Sequence, residues 1–269
     1  MIQTRKVISA LILLTFIFLL IAGSGCKKDE FNGRKAVYNL QIKDVLGVSG
    51  TATFNETSTT STNIDIVLIN APSGTHPAEL RKNSVVEGGD IVLTLNPVDA
   101  NGKSTTAVTS ISFDNLIAYD GYIIVHKSSS EPEVILAQGD IGGNVITSTN
   151  KTYTLETVPT FNVAGTALFE KRVNGSTLLT ITLTGVIAGE LYPATINLGS
   201  IETVGGGPVV KTLNNVDGTI GKSYTNIRKL NSGLDITYDN WLVYVGYINI
   251  YSNAVSIDNI ICHGNIGAN

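Results

Sequence analysis

The chain has 269 residues, of which 43% are hydrophobic and 15% charged, with 18 basic and 22 acidic side chains and a net charge of −4. This length accommodates one large or two ordinary domains, and the apolar content is sufficient for packed cores. The acidic balance, without a basic cluster, argues against binding to nucleic acid or to an anionic membrane surface. Abundant glycine, threonine, serine and asparagine favour strands and turns over helices.

The N-terminus has the pattern of a secretory leader. Arg5 and Lys6 form a positive region, Val7 to Ala22 is almost wholly apolar, and the small residues Gly23-Ser24-Gly25 directly precede Cys26. Small residues before a cysteine resemble the lipobox of bacterial lipoproteins, although this chain has Gly23 where that family usually has leucine. The resemblance implies a signal peptide over residues 1–25 and a lipid on Cys26. The alternative is an uncleaved membrane anchor, for which Gly-Ser-Gly is a poor helical continuation.

The residues after Cys26 predict a tether over 26–35 and a place in the cell envelope. Lys28-Asp29-Glu30 resembles the surface-export signal of lipoproteins from the Bacteroidetes; the alternative is a solvated charged tether. We therefore expect an outer-membrane lipoprotein that contacts the membrane through its N-terminal lipid, either on the surface or on the periplasmic face. The other cysteine is Cys262, so a lipid on Cys26 leaves no disulfide within the chain.

A tandem duplication organises the rest of the chain. Gly121–His126 and the run from Gln138 to Asn144 recur as Gly246–Tyr251 and the run from His263 to Asn269, at a constant shift of 125. Earlier matches have shifts that rise from 115 through 116, 118 and 119, so the insertions fall between strand-like segments. The repeat predicts two domains, residues 36–144 and 152–269, joined by a linker over 145–151.

Short alternating segments predict an all-β fold for both copies. Leu179, Ile181 and Leu183 alternate with threonines, which is the period of a half-buried strand. No sustained helical period occurs outside the leader. About seven strands per copy, bounded by glycine, asparagine or proline, favour an antiparallel sandwich or barrel.

Four blocks in each copy resemble the CHRD domain, a module named after chordin. In the first copy they are Val48-Ser49-Gly50-Thr51-Ala52-Thr53-Phe54, His76-Pro77-Ala78, Leu95-Asn96-Pro97-Val98-Asp99, and Gly121-Tyr122 through Gly139-Asp140-Ile141-Gly142. The resemblance covers nearly all of 36–144 and, more loosely, 153–269. It implies two immunoglobulin-like β domains in an extracytoplasmic setting, and it adds little about activity.

A metal site is the sharpest chemical hypothesis, and the sequence argues against it. Members of the family often continue the His-Pro-Ala block into a His-x-His pair, which could hold a metal on one strand face. This chain has Glu79-Leu80-Arg81 and Thr195-Ile196-Asn197 there instead. His76, His126 and Glu79 could still converge on zinc or copper, but tyrosines replace both histidines in the second copy. We expect no metal, no cofactor and no catalytic residues.

Other chemically suggestive residues have structural interpretations. Cys262 corresponds to Ala137, which predicts a buried thiol rather than a nucleophile, and Trp241 corresponds to Leu116 in the core. His263 is expected to have a polar structural role. Gly205-Gly206-Gly207 predicts a flexible surface turn rather than a phosphate loop. Asp99 and Asp217, each before Gly-Lys-Ser, predict hairpin turns.

These observations predict a non-enzymatic binding or structural module whose protein or glycan ligand is unknown. The alternative from another class is a metal-dependent enzyme with a fold like that of copper–zinc superoxide dismutase. A third interpretation is a passive envelope component in which each domain has its sister domain as its partner.

Overall fold

The computed structural model describes residues 33–252 and 259–269. The predicted signal peptide 1–25, Cys26 and Lys28-Asp29-Glu30 therefore lie outside the described residues. The fold is all-β, with 56% of residues in strands and 6% in helices. Among the described residues, no helix has the length and apolar character needed to cross a membrane.

Eight antiparallel strands form the first repeat. Their bounds are β1 Lys35–Ile42, β2 Ser49–Ser58, β3 Ser61–Ile69, β4 His76–Lys82, β5 Ile91–Val98, β6 Lys103–Val108, β7 Gly121–His126 and β8 Ile135–Ile141. They lie in one barrel-like sheet in the order β5-β4-β7-β8-β1-β2-β3-β6.

Eight further strands form the second repeat. Their bounds are β9 Ile146–Thr157, β10 Ala164–Arg172, β11 Thr177–Thr184, β12 Leu191–Leu198, β13 Val209–Asp217, β14 Lys222–Ile227, β15 Val245–Tyr251 and β16 Ile260–Gly267. They close into a barrel in the order β10-β11-β14-β13-β12-β15-β16-β9. A pair between Asp217 and Lys222 joins β13 to β14, whereas β5 and β6 remain the edges of the first sheet.

The two repeats share one topology, so the tandem duplication is confirmed. Strand order around each sheet is the same when each strand of the first repeat is replaced by the strand eight places later. Register is also preserved: Ile123 pairs with Gly139 on β7 and β8, and Ile248 pairs with Gly264 on β15 and β16. Neither sheet draws strands from both halves of the chain.

Two details differ from the sequence prediction. Each repeat has eight strands rather than about seven. The expected linker 145–151 is largely strand, because β9 begins at Ile146 and pairs with β10 from the Arg172–Ile146 contact onward. Residues 146–151 contain few apolar side chains, so no alternating apolar pattern indicates a strand there. The backbone of β10 nevertheless supplies hydrogen-bond partners for this segment.

Alternation places one face of each strand in a core. Leu179, Ile181 and Leu183 of β11 are buried, while Thr184 at the strand end is exposed, as predicted. Burial of each large aliphatic side chain contributes about 1.5–3 kcal/mol. Trp241 is also buried and packs edge-to-face on Phe169, with ring centroids 6.0 Å apart, which confirms its core assignment.

A short helix follows β6 and β14 in the two repeats: α1, Phe113–Ala118, and α2, Tyr238–Leu242. The Ser112 hydroxyl caps α1 by accepting a hydrogen bond from the backbone of Asn115. Thr237 and Asn240 form a reciprocal capping box at the start of α2. One or two helical turns are too short to show a periodic apolar pattern, and tertiary burial of their aromatic and aliphatic residues stabilises them.

Polar contacts join the repeats. The fully buried Arg172 of β10 donates to Asp140 of β8 at 2.7 Å and also to the backbone oxygen of Asn144. Arg228 donates to the Asn144 side chain at 2.6 Å and pairs with Asp120. The sister repeats therefore contact each other through arginines of the second and oxygen acceptors of the first.

Candidate ligand-binding pocket

His76 is buried and both of its ring nitrogens already face backbone oxygens. Nδ1 lies 2.6 Å from the carbonyl oxygen of Lys127, and Nε2 lies 2.9 Å from that of Pro72. A carbonyl oxygen only accepts hydrogen bonds, so in the neutral ring the nitrogen that carries the proton donates to one of these two oxygens. A metal ligand needs a nitrogen lone pair directed at the ion. The His76 ring therefore connects the start of β4 to the backbone at Pro72 and Lys127.

His126 and Glu79 lie together, but not with His76 as a three-ligand cluster. His126 Nε2 is 3.5 Å from the Glu79 carboxylate, and His126 Nδ1 is 2.6 Å from the carbonyl oxygen of Pro132. The same Glu79 oxygen accepts from Arg81 at 2.7 Å. Within residues 33–252 and 259–269, no group of three or more His, Cys, Asp or Glu side chains is placed to share an ion.

Cys262 and the two Gly-Lys-Ser turns have the predicted structural roles. The Cys262 thiol is buried, and desolvation raises its pKa to about 12, so at neutral pH it is a protonated apolar group. Asp99 accepts hydrogen bonds from the backbone of Asn101 and Lys103, and Asp217 accepts one from Thr219. These bonds close hairpin turns.

The second repeat contains a cavity of about 490 Å³ between the outer face of its sheet and the loop over residues 199–208. Residues of three adjacent strands form its floor: Asn197 of β12 pairs with Tyr247 of β15, and Asn249 of β15 pairs with His263 of β16. Tyr247 and Tyr251 flank Asn249 on β15. Alternate residues of a strand point to the same face, so all three side chains of β15 face the cavity while Ile248 and Ile250 enter the core.

The triple-glycine segment forms the cover of this cavity. Gly205 and Gly206 have φ values of +77° and +75°, which glycine adopts without the strain that other residues incur. A side chain at Gly207 would clash with the backbone oxygen of Leu198. This approach lets the Gly207 N–H donate to the Tyr247 hydroxyl at 2.8 Å. The segment is an exposed turn as predicted, and it is also one wall of a pocket.

A directed chain of hydrogen bonds orients the pocket side chains. Asn197 Nδ2 donates to the Gly207 carbonyl at 2.9 Å, so Asn197 Oδ1 is free to accept from Thr195 Oγ1 at 2.6 Å. Thr195 has then used its proton, and the Tyr251 hydroxyl must donate in the 3.1 Å contact between them.

The chain ends at Asn249. Its Nδ2 lies 3.5 Å from the Tyr251 oxygen, which accepts because the Tyr251 proton is already committed. Asn249 is only 4% exposed, and its Oδ1 has no hydrogen-bond partner among the described residues. A buried acceptor of this kind costs about 1–3 kcal/mol unless something donates to it. A residue of the pocket floor therefore contains a buried oxygen without a partner among the described residues.

The same position in the first repeat carries charged groups. Glu79, Arg81, Ile124 and His126 correspond to Thr195, Asn197, Asn249 and Tyr251 in register. Glu79 accepts from Arg81 and lies 3.5 Å from His126 Nε2, a buried nitrogen that has no hydrogen-bond partner among the described residues. Ile124 supplies no polar group where Asn249 has one. The two copies thus share a backbone frame and differ in surface chemistry.

A second concavity, of about 370 Å³, lies at the junction of the repeats. Val37, Ile42, Val85, Ile146 and Tyr224 supply much of its wall. It is more apolar than the pocket under the glycine loop and contains no buried side chain without a partner among the described residues that line it. The pocket of the second repeat is therefore the stronger candidate for specific recognition.

Sequence reasoning missed this pocket, although two signals pointed toward it. Tyr247, Asn249 and Tyr251 place uncharged polar groups on every second position of β15. The repeat shift rises from 116 to 118 across the loop that contains the three glycines, which marks a longer loop in the second copy. Neither signal shows that the loop folds back over that strand face.

Comparisons of the chain with protein-family models, with curated proteins and with solved structures found no match. The proposals below therefore rest on this chain's own residues and geometry.

Proposed function

We propose that the protein is a lipid-anchored component of the cell envelope that binds a small ligand in the pocket of its second repeat. In this proposal the N-terminal lipid on Cys26 holds two immunoglobulin-like β domains of CHRD type at the outer membrane, after removal of a signal peptide. The first repeat supplies a rigid partner for the second, and the molecule acts as a binding module rather than as an enzyme.

The Asn249 side chain carries the binding part of the proposal. Its Oδ1 is buried on the cavity floor without a donor, while its amide nitrogen is held by Tyr251. A ligand that donates to this buried acceptor at the floor of a cavity would satisfy it. The cavity volume lies within the range of about 300–1,000 Å³ that small-molecule sites occupy.

The sequence of the leader supports the anchoring part. A positive region, an apolar run and small residues before Cys26 form an export signal followed by a modifiable thiol. Stable membrane attachment requires more than one acyl chain, which lipidation of the lipoprotein type supplies. The polar stretch after Cys26 then separates the lipid from β1.

The metal-enzyme alternative has weaker support. Both nitrogens of His76 are directed at carbonyl oxygens, and Glu79 is already paired with Arg81. A metal bound by His76 would require one of its ring nitrogens to leave the carbonyl oxygen that it faces.

The binding proposal is tested by thermal unfolding of the detergent-solubilised full-length protein against a mixed library of amino acids, sugars, nucleosides and carboxylic acids. A ligand at 100 times its Kd stabilises the folded state by about 2.7 kcal/mol. We expect at least one compound to raise the unfolding temperature of the wild type and not of Asn249→Ile, which carries the residue of the first repeat. A library without any Asn249-dependent shift contradicts the proposal.

The anchoring proposal has a separate test. We expect wild-type protein to incorporate labelled palmitate in a lipoprotein-processing bacterium and to enter the detergent phase, and Cys26→Ala to do neither. Equal labelling of both proteins rules out Cys26 as the attachment site.

A further inference from the structure

We propose that the ligand of the second repeat is a neutral saccharide, bound through hydroxyl groups by Asn249 and Tyr247, and that the equivalent face of the first repeat does not bind it. This inference rests on the proposed binding function and specifies its ligand class. It follows from the unused hydrogen-bonding capacity of the pocket, from the charge of its lining, and from the difference between the repeats.

Two side chains of β15 have unused hydrogen-bonding capacity in the pocket, one as an acceptor and one as a donor. Asn249 Oδ1 is a buried acceptor to which no group in residues 33–252 and 259–269 donates. The oxygen of Tyr247 accepts from the Gly207 N–H at 2.8 Å, and this contact leaves the phenolic proton available to a ligand. A hydroxyl group both donates and accepts, so it can satisfy either group, whereas a carbonyl or a carboxylate can satisfy only Tyr247.

Spacing requires a ligand with more than one hydroxyl. Tyr247 and Asn249 are two residues apart on β15, which separates their Cα atoms by about 6–7 Å. A ligand with hydroxyls on different carbons suits groups that extend from positions at this separation. A ring that bears several hydroxyls can donate to Asn249 from one carbon and accept from Tyr247 at another.

The charge of the lining favours a neutral ligand. The described residues that line the cavity are amides, phenols, a threonine, an imidazole, aliphatic residues and glycines, with no carboxylate, ammonium or guanidinium group. A charged ligand buried among them would lose hydration without gaining an opposite charge. Val158, Ile201 and Ile260 add apolar wall, which suits the C–H faces of a sugar ring.

Rigidity of the binding groups also suits a small polar ligand. Thr195 bonds the Tyr251 hydroxyl, which lies 3.5 Å from Asn249 Nδ2 and favours one orientation of the amide. A backbone N–H holds the hydroxyl of Tyr247. Pre-oriented groups lose little conformational entropy when a ligand binds, and for weakly hydrophobic ligands such as sugars that saving is a large part of the affinity.

The first repeat lacks the acceptor that the second repeat offers to a ligand. Ile124 replaces Asn249, so the free acceptor is absent, and Glu79 with Arg81 forms an ion pair of 2.7 Å where Thr195 and Asn197 stand. A neutral sugar entering there would have to separate that pair. In this proposal the second repeat binds the saccharide, whereas Glu79 and Arg81 at the same place in the first repeat contact each other.

The test is calorimetric titration of the full-length protein, solubilised in a detergent without a sugar head group. The probes are glucose, galactose, N-acetylglucosamine, maltose and cellobiose, with glucuronate, glucosamine, free amino acids and nucleosides as charged or non-saccharide counterparts. We expect at least one neutral saccharide to bind and to bind Asn249→Ile at least about tenfold more weakly. The matched control Ile124→Asn, at the equivalent position of the first repeat, should retain wild-type affinity.

Each other outcome is decisive. If only charged or non-saccharide probes bind, and do so in an Asn249-dependent way, the saccharide inference fails while the proposed binding function survives. If no probe of any class binds, both fail. Saccharide binding that is unchanged in both Asn249→Ile and Tyr247→Phe overturns the location of the site. Tyr247→Phe removes one oxygen only, so it keeps the test valid if Asn249→Ile unfolds; circular dichroism establishes whether each variant is folded.

Discussion

Arg172 of the second repeat donates a hydrogen bond to Asp140 of the first at a distance of 2.7 Å, from a position where its own side chain is fully buried. The other oxygen of Asp140 accepts from the backbone N–H of Val85 at 2.7 Å. Asn265 occupies the equivalent position in the second repeat, and its side-chain oxygen accepts from Ile201 at 2.9 Å. Both copies therefore use this position to hold a loop over the sheet, and a carboxylate in the first adds the contact between repeats.

We expect Arg172→Met to lower the free energy of unfolding by about 3–5 kcal/mol. The substitution removes the donor that compensates Asp140, whose side chain is 16% exposed, and the backbone oxygen of Asn144. Urea denaturation followed by circular dichroism measures the change.

The neighbouring surface pair is the matched control. Lys171 and Asp239 are 2.6 Å apart but are 31% and 64% exposed, so Lys171→Met should change stability by at most about 1 kcal/mol. If the two substitutions lower the free energy of unfolding equally, burial does not make the ion pair of Arg172 stronger than the exposed pair.

Cys262 should make the protein less stable in alkali. Burial raises the pKa of its thiol from 9.0 to about 12, so the group contributes its full stability below pH 9 and loses it between pH 9 and 12, where the unfolded chain releases the proton first. Relative to Cys262→Ala, which copies Ala137 of the first repeat, wild type should lose up to about 1.4 kcal/mol per pH unit in this window. Parallel stability–pH curves of the two proteins above pH 9 would contradict the assignment.

Purified protein should hold no stoichiometric metal. His76 contacts two backbone oxygens, and Glu79 contacts Arg81, so binding of an ion would disrupt existing interactions. Elemental analysis of protein prepared without an affinity tag should find well below one zinc or copper per chain. One tightly held ion that disappears in His76→Ala or His126→Ala would restore the enzyme hypothesis.

Replacement of Lys28, Asp29 and Glu30 by alanine should preserve lipidation and abolish surface display. The three side chains resemble an export signal, and their charges are not needed for modification of Cys26. Protease treatment of intact cells, followed by immunoblotting, measures display. If the triple variant is cleaved as readily as wild type, the segment is a tether alone.

Local patterns in the sequence were sufficient for the fold class and the duplication. Period-two alternation such as that of Leu179, Ile181 and Leu183 follows directly from strand geometry, and it survives insertions in loops. Matched registers in β7 and β15 follow from equal spacing of the same residues in both copies. Burial of Cys262 was also predictable, because the other copy has alanine there.

Tertiary structure decided which polar residues meet. Asn249 and Gly207 are 42 positions apart in the chain. The Tyr247 hydroxyl and the Asn197 amide contact Gly207 only because the glycine loop folds back over β15. The pairing of Arg172 with Asp140 likewise depends on how two separate sheets dock. Strand alternation specifies the face on which a side chain lies, but long-range packing determines what covers that face, and at Asn249 the cover leaves one buried oxygen without a partner.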